Sequence, residues 1–179
     1  MKHAHVSVMA ALILLPALGV VGCDKASART TAAERAAIAD TIRQTVSQAY
    51  DFSRPDVLRR LMSLYPDTGR IVSAAAGRII ASRDSLEREL RYFWESTGQN
   101  MHSPRLEWGK VYVDVLTPSS AVATWTYSIP HRTPAGQPHT VGGAWTALFV
   151  KRGGRWVIIQ EHLSELPPQA PQQLPQGGG

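Results

Sequence analysis

The sequence predicts a single-domain α+β protein in which the helices precede most of the strands. Two observations predict this class. Up to Gly98, apolar residues recur mainly at the spacing of amphipathic helices, interrupted by one short hairpin. From Leu106 to Ser164, apolar and polar residues largely alternate, which is typical of strands with one buried face. The 179 residues are enough for one domain with a sizeable core, and this order of elements favours an α+β fold.

The first predicted helix begins at a capping box, Thr31 to Glu34, whose side chains would bond each other's backbone N–H groups. One face of this helix is apolar and is expected to pack on the rest of the domain: Ile38, Ile42, Val46, Ala49 and Tyr50. A second, shorter helix starts in Ser53–Asp56, where Pro55 stands at a position that helices tolerate.

A break at Tyr65–Gly69 separates these helices from a small predicted hairpin, Arg70–Ala76 with Ile79–Ala81. Ser82 is placed to cap a third helix and Gly98 is placed to end it. One side of that helix is apolar: Leu86, Leu90, Phe93 and Trp94. The third helix is therefore also predicted to be amphipathic.

Four strands are predicted after the helices: Leu106–Leu116, Ala121–Ile129, Thr140–Val150 and Arg155–Ser164. In the second, alternation puts Trp125 and Tyr127 on one face and the threonines on the other. We expect the aromatic faces to turn toward the helices, and the threonine face toward solvent or a second subunit. In the fourth strand both faces are about equally apolar, so the sequence leaves open whether the His162 face or the Glu161 face looks inward.

The segment Trp156–Ser164, Trp-Val-Ile-Ile-Gln-Glu-His-Leu-Ser, resembles the closing strand of the SnoaL-like branch of the nuclear-transport-factor-2-like superfamily. The order of the preceding elements is also similar, so the resemblance covers about Thr31–Leu166. It implies a cone-shaped, cystatin-like α+β barrel: a bent antiparallel sheet wrapped around three helices, with a pocket at the open end. Such domains include isomerases, dehydratases, ligand-binding domains and dimerising assembly domains, so the fold does not give the function.

The N-terminus is predicted to be a targeting signal and not part of the folded domain. Lys2 precedes an almost wholly apolar run, Val6–Val21, which is short for a membrane span. Leu18–Cys23 then resembles the lipobox of bacterial lipoproteins, which implies cleavage before Cys23 and a lipid on its thiol. Asp24 resembles the signal that keeps such proteins at the inner membrane. The expected location is therefore the bacterial cell envelope, facing the periplasm, with the membrane as a partner.

These features divide the chain into a signal peptide (1–22), a tether (23–30), a SnoaL-like domain (31–166) and a tail (167–179). The tail is Pro, Gln and Gly with almost nothing apolar, which predicts disorder. The net charge of +5 is spread thinly and forms no basic strip. Nucleic-acid binding is therefore not expected, because it needs clustered positive charge.

His162 and Asp114 are the candidate catalytic bases. A neutral His162 imidazole in the pocket could accept a proton. Alternatively, His162 and Ser164 could only form hydrogen bonds with backbone groups where the strand ends. Asp114 could act like the carboxylate of the ketosteroid-isomerase branch, or could lie on a solvated strand face. The sequence shows no acid and base at a spacing that would identify a catalytic pair, so it favours a domain that is not an enzyme.

His131 and His139 flank the loop 132–138, where they could lie opposite each other, but no third metal ligand is evident. Without a glycine-rich phosphate loop or a zinc pattern, neither a metal nor a cofactor is predicted. An apolar ligand pocket is predicted instead, with these residues as its lining: Tyr65, Trp94, Trp125, Trp145 and His162. The alternatives are an isomerase- or dehydratase-like enzyme and a structural homodimer.

Overall fold

The structure, a computed structural model, describes residues 30–166, which form three α-helices, one short 3-10 helix and a six-stranded sheet. The helices are α1 (Ala32–Ala49), α2 (Val57–Met62) and α3 (Arg83–Ser96), and the 3-10 helix is Gly98–Asn100. The strands are β1 (Val72–Ala75), β2 (Arg78–Ile80), β3 (Glu107–Thr117), β4 (Ser120–Arg132), β5 (Pro138–Arg152) and β6 (Arg155–Glu165). The predicted α+β class is confirmed.

Helices α1 and α3 begin where the capping residues predict, whereas α2 begins only at Val57, after Pro55, and has no side-chain cap. In α1, the Glu34 carboxylate accepts from the Thr31 N–H at 2.7 Å and the Glu34 N–H donates to the Thr31 hydroxyl at 3.2 Å. Ile42 and Val46 are fully buried beneath it. Ser82 caps α3. No helix within residues 30–166 is long and apolar enough to cross a membrane.

The sheet has the order β2-β1-β6-β5-β4-β3. All neighbouring strands are antiparallel except β1 and β6, which are parallel. The four long strands therefore form a meander, and the small hairpin extends it beyond β6. This parallel pairing sets Ser73 beside Glu161, a contact between residues far apart in sequence.

The core lies between the helices and the concave face of the sheet. The indole rings of Trp125 and Trp145 stack there, with centroids 4.8 Å apart and planes 24° from parallel. Phe149 packs edge-on against Trp125, and both are almost completely buried. The aromatic faces of β4 and β5 thus turn inward, as alternation predicts.

A β-bulge in β6 decides which of its side chains face the core. Phe149 pairs with Ile158 but the preceding Leu148 pairs with Gln160, so Ile159 is an extra residue in β6. The bulge reverses the alternation that the sequence suggests. Trp156 and Ile158 are buried before it, whereas Glu161 is buried after it. Strict alternation would have placed those residues on opposite faces.

Candidate functional site

A cavity of about 1050 Å³ opens between α3, the end of α1 and the concave face of the sheet. Its wall is mainly apolar and includes seven aromatic side chains, from the segment after α1, from α3 and from β3, β4 and β5: Tyr50, Phe52, Phe93, Trp94, Trp108, Tyr127 and Trp145. Leu90 and Phe93 of α3 complete one side, which explains why the apolar face of this helix buries only Leu86 fully. The site is therefore a deep, aromatic-lined cleft.

The aromatic side chains support one another around the cavity. Tyr50 follows the last turn of α1 and meets Trp108 and Trp145, with ring centroids 5.7 Å away in both cases. Phe52, in the next loop, stacks on Trp94 of α3 at 6.2 Å. These edge-on and stacked contacts are the favoured aromatic geometries, so the wall is preorganised.

Two tyrosine hydroxyls supply polar groups to this wall. Neither Tyr50 nor Tyr127 has a side-chain hydrogen-bond partner among residues 30–166, which leaves both hydroxyls available to a ligand. Burial raises the pKa of Tyr50, and the negative charge of Glu161 raises it further. Burial and then the charge of Glu165 raise the pKa of Tyr127. Both therefore stay protonated and can donate or accept a hydrogen bond.

A buried carboxylate lies behind the wall. Glu161 is 5 % exposed, and its two oxygens accept from the Tyr65 hydroxyl at 2.8 Å and from the Trp145 indole N–H at 2.9 Å. The Ser73 hydroxyl is its third donor. Burial raises the pKa of this carboxyl, although the three hydrogen bonds partly oppose that rise. We define Glu161 with Ser73, Tyr65 and Trp145 as the Glu161 cluster.

The Glu161 cluster supports the cavity and does not line it. Only Trp145 belongs to both, with its ring in the wall and its N–H on the carboxylate. The cluster joins β6 to β1, to β5 and to the segment after α2. Because both oxygens are occupied and buried, the carboxylate is not available to a molecule in the cavity. It positions Trp145 instead.

Glu161 gives the stability of the fold a pH dependence of definite sign. Its pKa is higher in the folded chain than in the unfolded chain, so folding favours its protonated form. The stability it contributes is complete below the pKa of the unfolded chain and is lost as the pH rises through the pKa of the folded one. We expect the wild type to lose stability relative to Glu161→Gln as the pH rises above 4.5, the ordinary pKa of a glutamate side chain.

Urea unfolding of both proteins at several pH values measures this difference. The glutamine is expected to fold, because its oxygen can accept from Trp145 while the Tyr65 and Ser73 hydroxyls can turn to accept from its amide. Other titrating groups cancel when the two proteins are compared. A difference in the free energy of unfolding that stays constant with pH, or that grows in favour of the wild type, would contradict a raised pKa for Glu161.

The five predicted ligand-binding residues fall into four environments, one of which is the exposed convex face that carries His162. Trp94 and Trp145 line the cavity. Trp125 pairs with Trp145 across β4 and β5 and stacks on its ring, but it does not line the cavity. Tyr65 is buried against Glu161, outside the cavity. The Trp94 and Trp145 rings are thus brought together with Tyr50, Phe52, Trp108 and Tyr127, which were not among the predicted ligand-binding residues.

His162 and Asp114 lie away from the cavity. His162 is exposed and pairs across the sheet with Thr146 on the convex face, because the bulge turned its neighbour Glu161 inward. Asp114 is also exposed, while Val113 and Val115 pack on the core. Neither side chain is placed to act as a base on a molecule in the cavity. Cys23 and the signal peptide are outside the described residues.

Two histidines lie at the lip of the cavity. His131 and His139 pair directly across β4 and β5, which extend further than predicted, and His139 lines the opening. The His139 Nδ1 atom is 3.2 Å from His131 Nε2, and His131 Nδ1 is 2.8 Å from the Ile129 carbonyl oxygen. The pair is hydrogen-bonded to itself. Within residues 30–166, no three His, Cys, Asp or Glu side chains are grouped to hold a metal ion.

Comparison with known proteins places this geometry in a family context. The family profile described as a SnoaL-like domain matches residues 42–169, more than half of the chain. No curated protein sequence matches the chain significantly. Many solved structures do match, and three of them illustrate the range.

A proposed scytalone dehydratase from Novosphingobium aromaticivorans is 14% identical, with a TM-score of 0.63, over 83% of this chain and 99% of that one. A proposed dehydratase of the NTF2-like family from Streptomyces avermitilis is 16% identical, with a TM-score of 0.59, over 72% and 96%. The association domain of CaMKII from C. elegans is 19% identical, with a TM-score of 0.58, over 75% and 99%. At these identities the likeness is one of fold.

Proposed function

The chain belongs to the SnoaL-like domain family, and from that premise we propose that it binds a small, mostly apolar, ring-bearing ligand in its cavity. The observation that carries this proposal is the aromatic wall around about 1050 Å³ of open space. Ligand cavities are commonly about 300–1,000 Å³, largely apolar and equipped with a few polar groups. The hydroxyls of Tyr50 and Tyr127 are such groups.

The arrangement of the polar groups favours binding over catalysis. Glu161 is buried and occupied by its three donors, and His162 and Asp114 lie outside the cavity. An isomerase- or dehydratase-like reaction through either predicted base would need that side chain within hydrogen-bonding reach of a substrate. The Glu165 carboxylate and the His139 imidazole also line the cavity, where each can accept a hydrogen bond from a ligand.

A thermal-melting screen of the full chain against small metabolites tests the proposal. Ring-bearing, mostly apolar compounds are expected to raise the melting temperature, because a ligand that binds only the folded state stabilises it. They are also expected to change the emission of the tryptophans in the wall. His162→Ala, on the convex face, is the control and should respond as the wild type does. No shift with any apolar compound would overturn the proposal.

We further propose, from the sequence, that Cys23 carries a lipid which holds the domain at the cell envelope, facing the periplasm. Mass spectrometry of the native protein should find acyl groups on Cys23; an unmodified thiol would refute the anchor.

We also propose a homodimer through the convex face, where Tyr112 and Leu116 are 58% and 59% exposed. Light scattering of protein lacking residues 1–23 should give twice the monomer mass, and a monomer would refute it.

A further inference from the structure

The lip histidines belong to the same concave surface as the aromatic wall. The pairing of β4 with β5 runs from Ser120–Val150 to Arg132–Pro138 without a register shift. Alternation is therefore unbroken along both strands, and His131 lies on the same face as Tyr127 and His139 on the same face as Trp145. Two imidazoles thus end the inward-facing rows at the mouth of the cavity.

The hydrogen bonds of this pair fix the position of every ring proton in its neutral form. The Ile129 carbonyl oxygen can only accept, so His131 Nδ1 must carry a hydrogen and donate to it. In neutral His131 the other nitrogen, Nε2, is then a bare acceptor. His139 Nδ1 must therefore carry a hydrogen and donate to it, and His139 Nε2 is left as a bare acceptor.

This remaining nitrogen is available to a ligand. His139 lines the cavity, and within residues 30–166 its Nε2 has no hydrogen-bond partner. The Tyr50 and Tyr127 hydroxyls can donate or accept, so they do not select between ligands that donate and ligands that accept. His139 Nε2 does select, because its hydrogen bond to His131, which itself donates to the Ile129 carbonyl, allows Nε2 only to accept. The Glu165 carboxylate, which also lines the cavity, accepts as well and adds to the same preference.

We propose that His139 selects ligands that carry a hydrogen-bond donor, such as an alcohol or phenol hydroxyl, at one end of an apolar ring-bearing body. His131 is the positioning residue: it contacts no ligand and acts by fixing the tautomer of His139. This inference rests on the proposed binding function and specifies its ligand class. It predicts that the same apolar body binds better with a free hydroxyl than with a capped one.

The test compares 1-naphthol with 1-methoxynaphthalene, which share a ring system but differ in the donor. Binding to the full chain is measured by titration calorimetry at about pH 8, where imidazoles are mainly neutral. We expect the wild type to bind the naphthol about 3- to 10-fold more tightly, since one net hydrogen bond at an exposed lip is worth that much. His139→Phe should lose most of the preference for the naphthol, and His131→Phe should also reduce it because His139 can then adopt either tautomer.

The outcomes separate this inference from the function it rests on. If neither compound binds the wild type, the proposed function fails. If both bind the wild type equally, the cavity proposal stands and selection by His139 is overturned. If His131→Phe keeps the full preference, the positioning role of His131 is overturned. His162→Phe, the same change on the convex face, should leave the affinity ratio unchanged and controls for a general effect of replacing a histidine.

Discussion

Replacing Glu161 with alanine is expected to lower the free energy of unfolding by about 3–5 kcal/mol, because it leaves buried donors without an acceptor. The Trp145 indole N–H can only donate, and it points at a carboxylate oxygen 2.9 Å away. The Tyr65 hydroxyl loses its 2.8 Å partner in the same step, and a cavity is left where the side chain was. Urea or thermal unfolding of the purified variant measures the loss.

Two further variants show whether the hydrogen bonds are responsible. Glu161→Gln keeps the shape and an acceptor for Trp145, so it should cost much less than alanine. Tyr65→Phe removes one donor and leaves the carboxylate two others, with an expected cost of about 1–2 kcal/mol. If Glu161→Ala and Glu161→Gln both unfolded with the same free energy as the wild type, the hydrogen bonds of the Glu161 cluster would not stabilise the contacts of β6 with its neighbours.

Replacing Val141 with tryptophan is expected to weaken the binding of an apolar ligand at least about 100-fold, because the indole would occupy the space the ligand needs. Val141 is half-buried, faces inward on β5 between His139 and Trp145, and lines the cavity. Since the cavity is open, the larger side chain should be accommodated without unfolding the domain. Titration calorimetry with naphthalene compounds measures the affinity.

Thr146→Trp is the matched control, since it adds the same side chain to the same strand on the exposed convex face. It should leave the affinity unchanged. Equal binding by Val141→Trp and the wild type, with both folded, would show that the ligand binds elsewhere. Equal loss in both variants would point to a general effect of the added indole and would also contradict the prediction.

Local sequence signals predict much of this fold. The capping pair Thr31 and Glu34 marks the start of α1, and the inward alternation of Trp125, Trp145 and Phe149 marks the concave face. These features depend on residues a few positions apart. The strands β4 and β5 extend beyond the predicted ends because Pro130 and Pro138 are accommodated within the hairpin, next to the paired histidines.

The site was less predictable because it depends on contacts between distant residues. One extra residue, Ile159, turns Glu161 inward and His162 outward, and nothing in the pattern of β6 marks that position. The parallel pairing of β1 with β6, which brings Ser73 to Glu161, joins segments almost ninety positions apart. The available signal was slight, because Glu161 stands between the polar residues Gln160 and His162, and an acidic residue is rarely buried unless it is paired.

Aromatic residues posed a related difficulty. Trp125 and Trp145 have the same alternation pattern, pair directly and are both almost fully buried, yet only Trp145 lines the cavity. Whether an inward aromatic ring fills the core or borders an opening depends on how closely the helices approach the sheet. That distance is set by packing of the whole domain and leaves no local trace in the sequence.

Crystals of the full chain soaked with 1-bromonaphthalene offer the most direct measurement, because the bromine can be located by its anomalous scattering. We expect one bromine per chain inside the aromatic wall, within contact distance of Trp108 and Trp145. Bromine found only on the convex face or between molecules, with the cavity closed by side chains, would contradict it.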